Sequence, residues 1–193
     1  MQTKLDDFNS PEKKVILQIF ESIPMMEKWI VSLIEHFIYA WIEEYYSQEE
    51  GGKIRCRYLT KYGEKHGKYT EWFDDGQLFE QSSYINGKLH GEYKRYFWNE
   101  DGDNNIDKLC RHTTYIDGII HGEYKSWYCE AENQLFEQSI YVNGKLHGEY
   151  RRWYDNGELH IQTTYKNGEL HGEYREWNFG LEELVYIDEI EPD

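Results

Sequence analysis

The sequence predicts a mainly β protein with an N-terminal α segment: an elongated antiparallel β-meander of stacked hairpins, preceded by two helices. The first observation behind this is a motif of His, Gly, a charged residue and Tyr that occurs five times, starting at His66, His90, His121, His147 and His171. Successive copies are 24, 31, 26 and 24 residues apart, a period typical of stacked repeat architectures. The second is a change near residue 50 from a helical to a strand-like apolar period.

The N-terminal segment, residues 1–52, is predicted to be helical. Ser10 and Pro11 supply a capping hydroxyl and a proline suited to a first helical turn, and Pro24 ends that helix. A second helix is expected over residues 25–46, where apolar side chains recur in a broad stripe. Such a stripe needs a partner surface. The helix pair either caps the open sheet, whose unpaired edge would invite aggregation, or binds another protein.

Residues 53–187 are predicted to form five β-hairpin units, followed by an acidic tail over residues 188–193. In the fourth unit, residues 147–154 are one strand, residues 155–157 a turn and residues 159–165 a second strand. Asn-Gly pairs link the strands, because these residues readily adopt the positive φ angles of a tight hairpin. Consecutive hairpins then form an antiparallel meander.

The units share columns of equivalent residues, and we interpret the shared residues as structural, with His-Gly shaping the start of each strand. These repeat-defining residues are His66, Gly67, Tyr69, Trp72, His90, Gly91, Tyr93, His121, Gly122, Tyr124, Trp127, His147, Gly148, Tyr150, Trp153, His171, Gly172, Tyr174 and Trp177.

The alternation of side chains along the strands predicts a single twisted sheet, not a closed sandwich. In the second strand of the fourth unit, Leu159 and Tyr165 share a parity and so are expected on one face. Charged residues, such as Glu80, Arg111 and Glu137, fall between the equivalent positions, so neither face is wholly apolar. A column of small hydroxyl residues is expected to form an exposed cross-strand ladder. It consists of Ser82, Thr113, Ser139 and Thr163.

Composition restricts the partners. The formal net charge is −16, and both the N-terminal segment and the repeats are acidic, which disfavours nucleic acid and anionic lipid headgroups. Three Cys residues without metal-type spacing indicate reduced thiols in an intracellular, cytoplasmic protein. The N-terminus has no apolar signal core, and charges interrupt the only apolar stretch, so no membrane span is expected.

No active site is predicted. The chain lacks a Gly-rich phosphate loop and a recognisable nucleophile motif. Equivalent His residues two strands apart would lie roughly 9–10 Å from each other, too far to share one zinc ion. We therefore expect no cofactor, no metal and no enzymatic activity.

The repeats resemble MORN (membrane occupation and recognition nexus) repeats, most clearly at residues 141–157, which read YVNGKLHGEYRRWYDNG. The Asn-Gly turns make them similar to the variant found in bacterial antitoxin-like MORN proteins. The resemblance covers roughly residues 58–187 and implies a non-catalytic scaffold or adaptor that binds protein, self-associates or lies near a membrane. The antitoxin likeness implies, as one alternative, neutralisation of a basic partner.

The N-terminal segment also resembles an F-box, the helical motif that docks on the adaptor of cullin ubiquitin ligases. The match runs in register from Val15 through Pro24 and Glu27 to Ile34. It implies a second alternative, a ligase substrate receptor, and the combination with MORN-like repeats suggests a large DNA virus and hence host cytoplasm. The residues expected to bind the adaptor are Ile19, Phe20, Ile23 and Val31.

Overall fold

The computed structural model describes residues 38–46, 52–98, 108–129 and 133–180, and all of its strands belong to one antiparallel sheet. The strands are β1 Tyr39–Tyr45, β2 Ile54–Lys61, β3 Glu64–Trp72, β4 Leu78–Ile85, β5 Lys88–Leu89, β6 Gly91–Tyr96, β7 Leu109–Ile116, β8 Ile119–Ile120, β9 Gly122–Trp127, β10 Leu135–Val142, β11 Lys145–Leu146, β12 Gly148–Trp153, β13 Leu159–Lys166, β14 Glu169–Leu170 and β15 Arg175–Glu176.

The long strands follow one another across the sheet in chain order, which confirms the predicted meander. Each of the first four units contributes two long strands, namely β3 with β4, β6 with β7, β9 with β10 and β12 with β13. The fifth unit contributes β15, which pairs with β13. Because each strand pairs with its sequence neighbour, the sheet is assembled from local hairpins.

The predicted Asn-Gly turns are present. Asn143 and Gly144 have φ angles of 50° and 81°, and they join Val142 to Lys145 as a two-residue loop. Positive φ at both central residues defines the type I′ turn, whose twist matches that of the flanking strands. Equivalent pairs with positive φ occur at Tyr62-Gly63, Asn86-Gly87, Asp117-Gly118 and Asn167-Gly168.

His-Gly forms a β-bulge within β3 in the first unit and at the start of the long first strand in the second to fourth units. Across the fourth unit, Tyr141 pairs with Leu146 but Gln138 pairs with Arg151, so two additional residues are accommodated on one side. Gly148 at this position has φ of 89°, a conformation that glycine adopts without steric cost. The His147 backbone N–H still donates to the Ile140 carbonyl, at 2.8 Å. The His-Gly column therefore corresponds to a bulge in the strand.

The predicted second helix is wrong over Tyr39–Tyr45, which form strand β1. This strand pairs with β2 along its length, from Tyr39 opposite Lys61 to Tyr45 opposite Ile54. Aromatic and β-branched residues such as Trp41 and Ile42 are favoured in strands, and β1 covers the backbone groups that β2 would otherwise expose. Tertiary pairing has overridden the helical periodicity. The rest of both predicted helices lies outside the described residues.

The prediction that Leu159 and Tyr165 share a face, which assumed strict alternation of side chains along the strand, is wrong. Trp153 pairs with Leu159, but the preceding Arg152 pairs with Ile161, so His160 is an extra residue in the second strand. Directly opposed residues share a face, and Leu159 therefore lies on the tryptophan side of the sheet, not on the side of Tyr165. The same irregularity places Leu78 opposite Trp72.

Candidate functional site

One face of the sheet, called the tyrosine face here, carries the tyrosines of the His-Gly-x-Tyr motif. In the first four units the ring of this motif tyrosine packs against a tyrosine near the end of the second strand, and the Tyr150 and Tyr165 ring centroids are 5.7 Å apart. Directly opposite Tyr150 lies Thr163, and the other units repeat this arrangement. The opposed pairs are Tyr69 with Ser82, Tyr93 with Thr113, and Tyr124 with Ser139.

The hydroxyl column is buried, so the expected exposed ladder is wrong. Ser139 is 0% exposed, and Ser82, Thr113 and Thr163 are also buried. Their hydroxyls are satisfied locally: Ser139 Oγ donates to Glu137 at 3.1 Å, and Thr163 Oγ1 to the Glu173 carbonyl at 3.0 Å. Small side chains are required here because the two tyrosine rings of each unit cover them. The opposed Tyr–Ser/Thr register was the sequence signal that could have revealed this.

A row of residues that are all charged except Ser126 crosses the tyrosine face beside the rings. In order across the strands, the row consists of Glu80, Arg95, Arg111, Ser126, Glu137 and Arg152. Tyrosine hydroxyls bond to its carboxylates, as Tyr93 does to Glu80 at 2.9 Å. Burial, together with this carboxylate, raises the pKa of Tyr93 above its usual range. The prediction that charges interrupt this face is confirmed.

The opposite face, called the charged face, repeats an ion pair between residues two apart in the second to fifth units. Glu123 lies 2.8 Å from Lys125, and Glu149 lies 2.5 Å from Arg151. Neighbouring strands contribute amide donors, such as Gln138 Nε2 to Glu123 at 2.9 Å. The pKa of Glu123 is lowered by these hydrogen bonds, the Lys125 bond first. Such exposed pairs contribute little to stability, on the order of 0–1 kcal/mol each.

Aliphatic side chains interrupt this polar pattern in the middle of the charged face. Ile119 and Ile140 are 50% and 42% exposed. Ile119 lies against the turn at Gly144, where a Cβ atom would be 3.1 Å from its Cγ2, and Ile140 lies against Gly148. A shallow groove beside them is lined by Glu123, Gln138, Ile140, Glu149 and Arg151.

The predicted histidine column joins successive units. His121 and His147 accept hydrogen bonds at Nδ1 from the backbone N–H groups of Asn143 and Asn167 in the next turn, each at 3.4 Å. His90 Nδ1 lies 3.4 Å from the backbone nitrogen of Asp117 and 3.2 Å from its carboxylate. These contacts fix the orientation of the imidazole ring against the turn of the following unit. Within the described residues, no group of three or more His, Cys, Asp or Glu side chains could hold a metal ion.

The remaining predicted residues divide into two groups. Trp72, Trp127, Trp153 and Trp177 are half-buried on the side opposite the tyrosines, opposed in the first, third and fourth units by leucine. The adaptor-binding set of Ile19, Phe20, Ile23 and Val31 lies outside the described residues. In the portion that the structure describes, no helix is long and apolar enough to cross a membrane.

Comparison with known proteins identifies the repeats. A family model described as "MORN repeat variant" matches residues 65–86 and 146–167. Among curated proteins, none matches the chain significantly. Residues 65–86 run from the second residue of β3 through β4 to Asn86, and residues 146–167 contain β12 and β13 and end at Asn167.

Two solved structures of TarM show a distant likeness. One is a mutant of S. aureus TarM in complex with Fondaparinux, alpha-GlcNAc-glycerol and UDP, at 14% identity and a TM-score of 0.31. The other is at 16% identity and a TM-score of 0.29. Their matches cover 81% and 79% of this chain but 27% of each TarM chain, and at these scores they carry no functional argument. The family match agrees with the geometry, and residues 65–86 and 146–167 are therefore MORN repeats of the variant type, built into one sheet with the units between them.

Proposed function

We propose that this chain is a non-catalytic protein-binding scaffold, and that its contact surface is the charged face around Ile119 and Ile140. The observation that carries the proposal is the exposure of these two aliphatic side chains. The other units have polar residues at the equivalent positions. They are Lys88, Lys145 and Glu169 in the column of Ile119, and Ser83, Thr114 and Thr164 in the column of Ile140.

The surroundings of the two isoleucines suit a protein partner. Glu123, Gln138, Glu149 and Arg151 border the groove that Ile140 lines. An apolar centre with a rim of charged and amide groups is the usual composition of a protein–protein contact. Exposed ion pairs on the rim would give orientation and specificity, while the aliphatic groups would supply the area removed from water.

The family supports the same class of function, since MORN repeats are commonly protein-binding or scaffold modules. A sheet of repeated hairpins offers a long, regular surface, and variation of a few side chains within its columns makes one unit distinct from the others. Partner recognition by the third and fourth units is therefore compatible with a purely structural role for the first and last.

The experiment uses substitutions that restore the residues of neighbouring units. The variant Ile119→Lys, Ile140→Thr replaces the patch with side chains that the array already carries in the same columns, so the fold should be retained. Ile85→Lys, also on an exposed isoleucine beside a turn, is the matched control. The immobilised full chain would be used to capture partners, which are then purified and titrated by calorimetry.

We expect a partner that binds the wild type and Ile85→Lys with similar Kd and the double variant at least about tenfold more weakly, which corresponds to 1.4 kcal/mol. If each purified partner binds all three proteins equally well, the patch is not the contact surface. Retention of the wild-type melting temperature in the double variant would show that lost binding is not lost folding.

A further inference from the structure

The third unit differs from the other four in how its motif tyrosine is satisfied. The tyrosine hydroxyl can reach two positions on the tyrosine face: the residue two places further along its strand, and the residue directly opposite that one on the preceding strand. In four units, one of these two positions is a glutamate. The position pairs are Glu71 with Cys56, Arg95 with Glu80, Arg152 with Glu137, and Glu176 with Ile161.

Those glutamates accept the tyrosine hydroxyls. Tyr69 donates to Glu71 at 2.8 Å, Tyr93 to Glu80 at 2.9 Å and Tyr174 to Glu176 at 3.2 Å. Tyr150 bonds to the Glu137 carboxylate. A hydrogen bond to an ionised acceptor is stronger than a neutral one. This contact therefore stabilises the sheet in each unit that contains it.

In the third unit both positions are occupied by other residue types. Tyr124 has Ser126 two places further on, and Ser126 lies opposite Arg111. Neither can supply a carboxylate. The unit instead places a guanidinium and two hydroxyls together, and the Arg111 Cζ atom is 5.6 Å from the centroid of the Tyr124 ring.

Two of these polar groups are buried without a partner. Ser126 is only 9% exposed, and its Oγ atom has no hydrogen-bond partner among the described residues. The same holds for the buried Nε atom of Arg111. Leaving a buried donor unsatisfied is costly. The Nε atom of Arg152 in the fourth unit is also buried without a partner in the described part of the chain, so the Ser126 hydroxyl is the unsatisfied group that distinguishes the third unit.

At the position of Ser126, the third unit carries a smaller side chain than the other units. In the column of Ser126, the other units carry side chains of the length of glutamate or arginine, namely Glu71, Arg95, Arg152 and Glu176. Serine is shorter by several heavy atoms. A carboxylate placed where those longer side chains end would lie close to both Ser126 and Arg111.

We infer that the third unit is a carboxylate-binding site on the tyrosine face, in which Arg111, Ser126 and Tyr124 donate to a ligand carboxylate that replaces the glutamate of the other units. The ligand class is an organic carboxylate, as found on an acidic side chain or a small carboxylic acid. Arg111 supplies the positive charge and, through Nε–H, one donor.

The neighbouring charges determine how strongly an anion is held. Arg95 lies opposite Arg111 on one side, but Arg95 is also opposite Glu80, which compensates its charge. Burial raises the pKa of Glu137, and Arg111 is one of the groups that oppose this shift. On the other side Ser126 lies opposite Glu137, whose carboxylate is held by Ser139 and Tyr150 and lies across from Arg152. The overall charge of −16 includes many groups far from the site. Those beyond about 8 Å act weakly on a bound anion, because salt at 0.15 M screens their charge.

The test is a titration of the full chain with sodium acetate at constant ionic strength, made up with sodium chloride. The readout is the Arg111 Nε–Hε signal in a nitrogen–proton correlation spectrum, assigned by its loss in Arg111→Lys. We expect a saturable shift of this signal with acetate and none with chloride. Ser126→Glu, which supplies the carboxylate from the chain itself, should abolish the response and raise the melting temperature.

Control variants separate site chemistry from charge. Asn178→Glu adds the same charge at an exposed position and should retain the acetate response within about twofold. Acetate binding to Arg111→Lys, followed by tyrosine fluorescence, should be about tenfold weaker because one charge-assisted hydrogen bond is lost.

Three results would each overturn the inference. The first is an Arg111 signal that does not respond to acetate in the wild type. The second is an acetate response that persists unchanged in Ser126→Glu. The third is binding of inorganic phosphate at least about tenfold tighter than acetate at the same ionic strength, which would assign the site to another anion class. The titration contains no protein partner, so it is independent of the proposed contact surface on the charged face.

Discussion

The ring of Tyr93 packs edge-on against the ring of Tyr115, with centroids 5.7 Å apart and ring planes at 73°. The same contact recurs in the first, third and fourth units, at 5.8, 5.9 and 5.7 Å. Edge-to-face geometry is favoured by the ring quadrupoles, and each pair covers the buried hydroxyl residue of its unit. The core of this sheet is therefore a column of tyrosine pairs in place of an aliphatic layer.

The first prediction concerns this column. Tyr93 is 8% exposed and donates to Glu80. Tyr93→Ala should lower the free energy of unfolding by about 3–5 kcal/mol, as for other large aromatic side chains removed from a core. Tyr93→Phe keeps the ring but removes the donor to Glu80 Oε2, while Ser82 still donates to Oε1, and should cost about 1–2 kcal/mol. Urea denaturation measures both values.

A hydroxyl deletion on an exposed ring is the control. Tyr62 is 71% exposed, so Tyr62→Phe should change stability by less than about 0.5 kcal/mol. Equal effects of Tyr62→Phe and Tyr93→Phe would contradict the assignment of a structural hydrogen bond to Tyr93.

The fold could be predicted where local chemistry determines it. The Asn143-Gly144 turn and the His147-Gly148 strand start are readable because few residues tolerate their positive φ angles. Strand β1 could not be read in this way, since Trp41 and Ile42 fit a helical stripe as well as a strand, and only pairing with β2 decides between them. The extra residue at His160 depends on cross-strand register, which strict alternation does not encode.

The tryptophan column gives the second prediction. A fully buried Trp153 would make Trp153→Ala cost about 3–5 kcal/mol, but the side chain is only half-buried, opposite Leu159. We therefore expect a loss of about 2 kcal/mol, since roughly half of the ring's transfer and packing energy is at stake. Chemical denaturation checks this. A change close to zero would mean that the ring makes no structural contact and is available to a ligand.

The third prediction is a pH dependence that originates at Glu137. Burial raises the pKa of this carboxyl, against the opposing effects of its Ser139 and Tyr150 hydrogen bonds and of Arg152 and Arg111. A carboxyl with a raised pKa in the folded state contributes stability that is complete below its ordinary pKa of about 4.3 and is lost as the pH rises through the raised value. Wild type should therefore lose stability relative to Glu137→Gln on going from pH 4 to pH 7.

The free energy of unfolding of both proteins, measured by urea titration at several pH values, tests the sign. Glu149→Gln on the charged face controls for the loss of one negative charge. If wild type gains stability over Glu137→Gln as the pH rises, the paired arginines outweigh burial and the assigned direction is wrong.

The candidate sites were less accessible to sequence reasoning than the fold. Ile119 and Ile140 are ordinary apolar residues until the columns show that their counterparts are polar. Ser126 cannot be recognised from the sequence, because its significance depends on the register that opposes it to Arg111. In a repeat array the sequence signal for a site is a departure from a column, and the column has to be aligned through the bulges before the departure is visible.

The last prediction compares two glycines in the same column of the repeat. Gly122 and Gly172 both have positive φ, at 89° and 99°. An added Cβ atom would lie 2.8 Å from Thr114 Oγ1 at Gly122, but 3.8 Å from Thr164 Oγ1 at Gly172. The Thr114 hydroxyl also donates to the His121 carbonyl, so moving it aside breaks a hydrogen bond.

Both Gly→Ala variants should lose about 1–2 kcal/mol from the backbone conformation alone. Gly122→Ala should lose about 1 kcal/mol more, because the Thr114 hydrogen bond is displaced. Thermal and urea denaturation of the two variants measures the difference directly. Combining Gly122→Ala with Thr114→Ala removes the steric contact and should bring the added cost of the alanine back to that at Gly172. An undiminished cost in that double variant would place the strain in the backbone of the bulge, not in its contact with Thr114.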